Sequence, residues 1–111
     1  MTQPEQAVLL WPVLALAARS QQILSYSDVQ GFTGIDQRGL GKPLGLIHRY
    51  CERERFPRLN LIVVNRETGL PGEGVPGKGM TPEEIFIEQS RVFVFDWSSK
   101  EKPRSGDFET L

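Results

Sequence analysis

Between residues 23 and 74 a helix start, a Gly- and Arg-bearing helix, an apolar strand and a Gly/Pro loop follow one another without interruption. Ile23-Leu24-Ser25-Tyr26 reads as a short extended segment, and Ser25 or Ser27 can accept backbone hydrogen bonds at the start of a helix running toward Phe32. Gly31 and Gly34 bracket a tight turn. From about Asp36 onward Leu40, Leu44, Ile47 and Cys51 recur at helical spacing, while Arg38, Lys42, Arg49 and Arg53 occupy the other face. Proline in a helix interior costs about 3 kcal/mol, so Pro43 predicts a loose turn that becomes regular only after Lys42. Residues 59 to 65, apolar but for Asn60 and Asn65 and bounded by Pro57 and Gly69, have the length of a strand. Residues 69 to 79 hold five glycines, too closely spaced for a helix or a flat strand, and form a loop. This order is that of a small winged helix-turn-helix, an α+β domain with the 37–53 helix as recognition helix and the Gly/Pro loop as wing.

The distribution of charge agrees with such a surface. The net charge is −1, yet residues 37 to 66 carry Arg38, Lys42, Arg49, Arg53, Arg55, Arg58 and Arg66 against Glu52 and Glu54, a local balance of +5. Residues 67 to 111 carry five basic and nine acidic side chains, a balance of −4. A local basic patch steers a polyanion more than the total does. Interleaved Glu52 and Glu54 also suit a plainly solvated helix face.

Leu24-Ser25-Tyr26-Ser27-Asp28-Val29, then Arg38-Gly39-Leu40-Gly41, Pro57, Val63-Val64-Asn65 and Gly69 together resemble the DNA-binding C-terminal domain of the O6-alkylguanine-DNA alkyltransferases and the alkyltransferase-like proteins. The resemblance covers residues 7 to 95 or so. It implies a serine-tyrosine pair opening the helix-turn-helix, with Tyr26 pressing on a phosphate to rotate a damaged nucleotide and Arg38 filling the vacated stack. It also places the family's Pro-Cys-His-Arg tetrad on Asn60-Leu61-Ile62-Val63, where no acceptor remains: Leu61 cannot take an alkyl group. The alkyltransferase-like proteins keep the neighbouring His and Arg, which here read Ile62 and Val63. The expected DNA contacts are Tyr26, Arg38, Lys42, Arg49, Arg53, Arg66 and Lys78, with no catalytic residue, cofactor or metal.

At 111 residues and 39% hydrophobic content the chain forms one domain with a modest core. Cys51, the only thiol, excludes an internal disulfide and suits a cytoplasmic location; on the apolar helix face it reads as a small buried hydrophobe. The apolar run at residues 7 to 18 is too short to span a bilayer, and Glu5 with no preceding basic residue argues against a signal peptide. It reads as a first helix, with Pro12 marking a kink or a shifted start and no heptad to demand a dimer. Thr81-Pro82-Glu83-Glu84 is a helix start with a capping box, running through Ile85, Glu88, Gln89, Val92 and Phe93. Residues 92 to 95 suit helix and strand alike. The domain is expected to end at residue 97, with 98 to 111 a polar, mobile tail.

His48 and Cys51 alone do not make a zinc site. Gly77-Lys78-Gly79-Met80 lacks P-loop order, and Ser27, His48 and Asp28 form a triad only on paper. Two function classes remain. One is a non-catalytic binder of double-stranded DNA, either a regulator or a non-enzymatic relative of the alkyltransferases. The other is a protein-interaction module on the same fold (an inhibitor, an antitoxin-like partner or a phage/host accessory factor) using the wing and Phe93, Phe95 and Trp97.

Overall fold

Thr2 and Glu5 start the first helix. In a computed structural model that describes residues 1–72 and 79–111, the Thr2 hydroxyl accepts the Glu5 N–H (3.2 Å) and the Glu5 carboxylate accepts the Thr2 N–H (2.9 Å). This reciprocal cap satisfies two donors that a helix start leaves free. Helix α1 (Gln3–Arg19) follows and buries Ala7, Leu10, Trp11, Leu14, Ala17 and Ala18, a stripe of three- and four-residue steps. Pro12 neither starts nor stops it. The helix passes through Pro12, which lies on its exposed side.

Ser25, not Ser27, caps the second helix. Its hydroxyl accepts the Asp28 N–H (3.1 Å) and its own N–H donates to Asp28 (3.0 Å), joining strand β1 (Leu24–Ser25) directly to helix α2 (Tyr26–Thr33). Gly31 lies within α2 rather than at a turn, and the turn falls to Gly34, whose φ of +77° is open to glycine at no steric cost. A 3-10 turn (Gln37–Gly39) leads into helix α3 (Gly41–Glu54). Pro43 sits in the first turn of α3, where an N–H would have no helical partner in any case, so its cost is largely avoided. Leu40, Leu44, Ile47 and Cys51 are all fully buried, as their spacing requires.

The expected strand at residues 59 to 65 is mostly something else. Leu59–Ile62 is a 3-10 turn, and only Val63–Val64 extends as β2, which pairs in parallel with β1 in the register Leu24↔Val63, Ser25↔Val64. Every residue from 59 to 64 is buried, so neither a period of two nor of three could be read there. Helix α4 (Pro82–Val94) begins at Thr81 and Glu84 as the capping box requires. Residues 92 to 94 are helical, Phe95 is extended, and the Trp97 indole donates to the Val92 carbonyl (2.8 Å) across that end.

The tail expected beyond residue 97 is instead folded. Trp97–Ser99 forms a 3-10 turn, and a short helix α5 (Ser105–Glu109) puts Phe108 into the core against Tyr50, ring centroids 5.4 Å apart. Trp11 joins that aromatic group edge-on to Tyr50 (5.4 Å) and Trp97 (5.7 Å). Helix α1 is the hub, packing against α2, α3, α4 and α5. The architecture is α+β, mostly helical, with one small parallel sheet. Among the described residues no helix is long and apolar enough to cross a membrane.

Candidate nucleic-acid interface

Lys42 and Arg49 stand seven positions apart on α3, about two turns, and so project from the same side. Both are exposed, and among the described residues neither takes part in an ion pair. Arg38 precedes them in the 3-10 turn. Its guanidinium forks onto Asp36, Nε to Oδ1 at 3.2 Å and Nη2 to Oδ2 at 2.9 Å, and these hydrogen bonds hold the Asp36 carboxyl down at about 2. The pair is solvent-exposed, so water screens it and a phosphate can replace the carboxylate at little cost.

Arg53 is not gathered into this group. One guanidinium nitrogen donates to the Asp107 carbonyl (3.4 Å) and the Thr110 hydroxyl (3.3 Å), and the group lies 5.2 Å over the Tyr50 ring. Those contacts dock α5. Lys78 lies outside the described residues.

Tyr26 and Arg66 meet elsewhere, at the sheet. A polar recess of about 250 Å³ lies among Ser25, Tyr26, Gln37 and Asn65, with Arg66 and the acidic Glu67 both on its wall. Arg66 donates to the Ser25 hydroxyl (3.2 Å) and pairs with Asp28 (3.5 Å). The Tyr26 hydroxyl accepts the Gly72 N–H at 2.7 Å, and burial pushes its pKa above the ordinary tyrosine value. A Cβ at position 72 would stand 2.9 Å from that hydroxyl, so any larger residue there would push the tyrosine ring aside. Tyr26 therefore acts as a strut between α2 and the loop after β2, with its hydroxyl already engaged.

The residues aligned with the alkyltransferase tetrad are packed into the core. Asn60, Leu61, Ile62 and Val63 are fully buried, and the Gln89 side chain donates to the Leu61 carbonyl (2.7 Å). Cys51 is equally buried, and burial pushes its thiol up to about 12. Among the described residues no group of three His, Cys, Asp or Glu side chains is placed to hold a metal ion.

Sequence reasoning missed a polar cluster beneath α3. Glu88, 7% exposed, accepts the Arg58 backbone N–H (3.1 Å) and pairs with the Arg58 (3.6 Å) and Arg91 (3.3 Å) guanidiniums. Arg58 also reaches Glu52 (3.6 Å), which stands 3.4 Å from His48 Nε2. Inside this ring, among the described residues, His48 Nδ1, Arg58 Nε and both polar atoms of the Asn60 amide make no hydrogen bond of good geometry, although Asn60 stands close enough to His48 to act on it. The signal was available: Ile85, Glu88, Gln89 and Val92 form the buried stripe of α4, and two of the four are polar.

Burial pushes His48 below its ordinary value, against the pull of Glu52. A histidine harder to protonate folded than unfolded stabilises the fold fully above the unfolded value near pH 6.5, and that stability falls as the pH drops below it. Urea midpoints at pH 7.5 and 5.5 should therefore differ more for the parent than for His48→Gln. Equal differences would show that His48 does not carry the effect.

No protein-family model matches the chain, and neither curated proteins nor solved structures show a significant match to it.

Proposed function

We propose that this chain is a non-catalytic winged-helix protein that binds double-stranded DNA, with α2 and α3 as its helix-turn-helix and α3 as the recognition helix. The observation that carries this reading is the stripe of Lys42 and Arg49 on one side of α3, both exposed and, among the described residues, without carboxylate partners. Arg38, just ahead of the helix, adds a third cation whose fork fits a phosphate. Arg66 extends the basic surface at the sheet. Arg53 is left out, since it serves α5. Leu61 in place of the acceptor, and the full burial of that side chain, support binding without alkyl transfer, in a regulator or a non-enzymatic relative of the alkyltransferases. The Tyr26 strut supports a protein that holds a duplex without rotating a nucleotide out.

Titration of a labelled duplex at about 50 and 200 mM salt tests this, because each phosphate contact adds close to one unit to the salt slope. Lys42→Ala and Arg49→Ala are each expected to weaken binding to all sequences and to lower the slope by about one. Variants that remain folded by circular dichroism and bind as well as the parent would remove α3 from the interface.

A further inference from the structure

The outward side of α1 carries a second surface, independent of the basic stripe and of the DNA-binding reading. Glu5, Leu9, Pro12, Leu16 and Arg19 are all exposed and succeed one another at steps of four, three, four and three, so they form one continuous stripe. Leu16 is 62% exposed and Leu9 38%. Stripes of this kind on a soluble chain mark a contact surface. Two recesses adjoin it and share Pro12: one of about 460 Å³ between Val8, Leu9 and Pro12, and one of about 240 Å³ between Pro12, Leu16 and Trp97.

The stripe is self-complementary about its middle. Glu5 and Arg19 lie seven positions before and after Pro12, and Leu9 and Leu16 lie three before and four after. When two copies of α1 cross antiparallel with Pro12 on the two-fold axis, Glu5 of each copy meets Arg19 of the other, and Leu9 of each comes beside Leu16 of the other. The recesses flanking Pro12 then receive those leucines. Lys100 and Lys102 line the recess at the Arg19 end and add to the positive charge facing the incoming Glu5. Lys100 is held there, its amino group 5.6 Å over both the Phe56 and Phe95 rings. Glu5 keeps an oxygen for this contact, since Thr2 takes only one. An isologous interface requires a patch that matches itself under two-fold rotation, and this one does.

We propose that the occupant of this surface is a second copy of the chain, docked α1 against α1 in antiparallel fashion about Pro12. An interface limited to one helix pair and its flanking recesses falls at the low end of specific interfaces, below about 1,200 Å² in total, the range of weak and reversible association.

Sedimentation equilibrium of the full chain without DNA, from about 1 to 500 µM, should show the mass rising from 12.5 kDa toward twice that value. Leu16→Glu should remain monomeric and folded, with the dissociation constant raised at least tenfold. Charge exchange tests the register. Glu5→Lys alone and Arg19→Glu alone should each self-associate at least tenfold more weakly than the parent, whereas an equimolar mixture of the two should recover dimer, because both ion pairs are matched only in the mixed species. A chain that stays monomeric at 500 µM overturns the proposal, as does a Leu16→Glu variant that dimerises like the parent. A mixture no more associated than its components overturns the register. Trp fluorescence that responds to an acidic helical peptide while the chain remains monomeric would hand the surface to another protein and equally overturn it.

Discussion

Phe108→Ala is expected to destabilise the chain by about 3–5 kcal/mol, the usual cost of emptying a fully buried aromatic site. Phe108 is 2% exposed, its ring stacks obliquely on Tyr50, and the helix that carries it packs on α1 and α3. At about 4–8 °C per kcal/mol for a chain near this size, the melting temperature should fall by well over 10 °C. Removal of residues 98–111 should do at least as much, because Pro103 and the Arg53 contacts leave with them. Glu109→Ala, one position on and exposed, should stay within about 0.5 kcal/mol of the parent and serves as the control. A Phe108→Ala chain that melts with the parent would detach α5 from the core and restore the polar-tail reading of this segment.

That tail reading failed for an instructive reason. Helix α5 is five residues long, too short for any period to appear, and one aromatic side chain anchors a polar stretch whose partners lie more than fifty positions upstream. The helices that could be read had signals within reach of a few residues: the caps at Ser25 and Thr81, and the apolar stripe of α3. The 3-10 turn at Leu59–Ile62 could not be read, because it is buried on every side and its Leu61 carbonyl is held by Gln89 from a distant helix. At the candidate interface the same division holds. Exposed Lys42 and Arg49 follow from helical phase, whereas the capture of Arg53 by α5 and of the Tyr26 hydroxyl by Gly72 are tertiary events.

The other large effect concerns Cys51. With its thiol pushed up to about 12 by burial, the thiolate near neutral pH is roughly a thousandfold scarcer than that of an ordinary cysteine. Iodoacetamide should therefore modify the native chain at least a thousandfold more slowly than the chain in urea. The same burial should keep Cys51 from accepting an alkyl group: after incubation with a duplex containing O6-methylguanine, the intact mass should show no added methyl group. Methylation of Cys51, or native modification within tenfold of the unfolded rate, would mean that the thiol reaches solvent and that the protein retains acceptor chemistry.

The parallel ladder has a kinetic meaning. Its two strands are two residues each and lie roughly forty positions apart, so closing them carries the entropy of a long loop for very few bonds. Such a ladder cannot nucleate anything. It is expected to close only after α2 and α3 have packed on α1 and brought Leu24 and Val63 within reach. On that account the ladder works as a latch, and the segment it closes, from Tyr26 to Ile62, is the one that carries Arg38, Lys42 and Arg49.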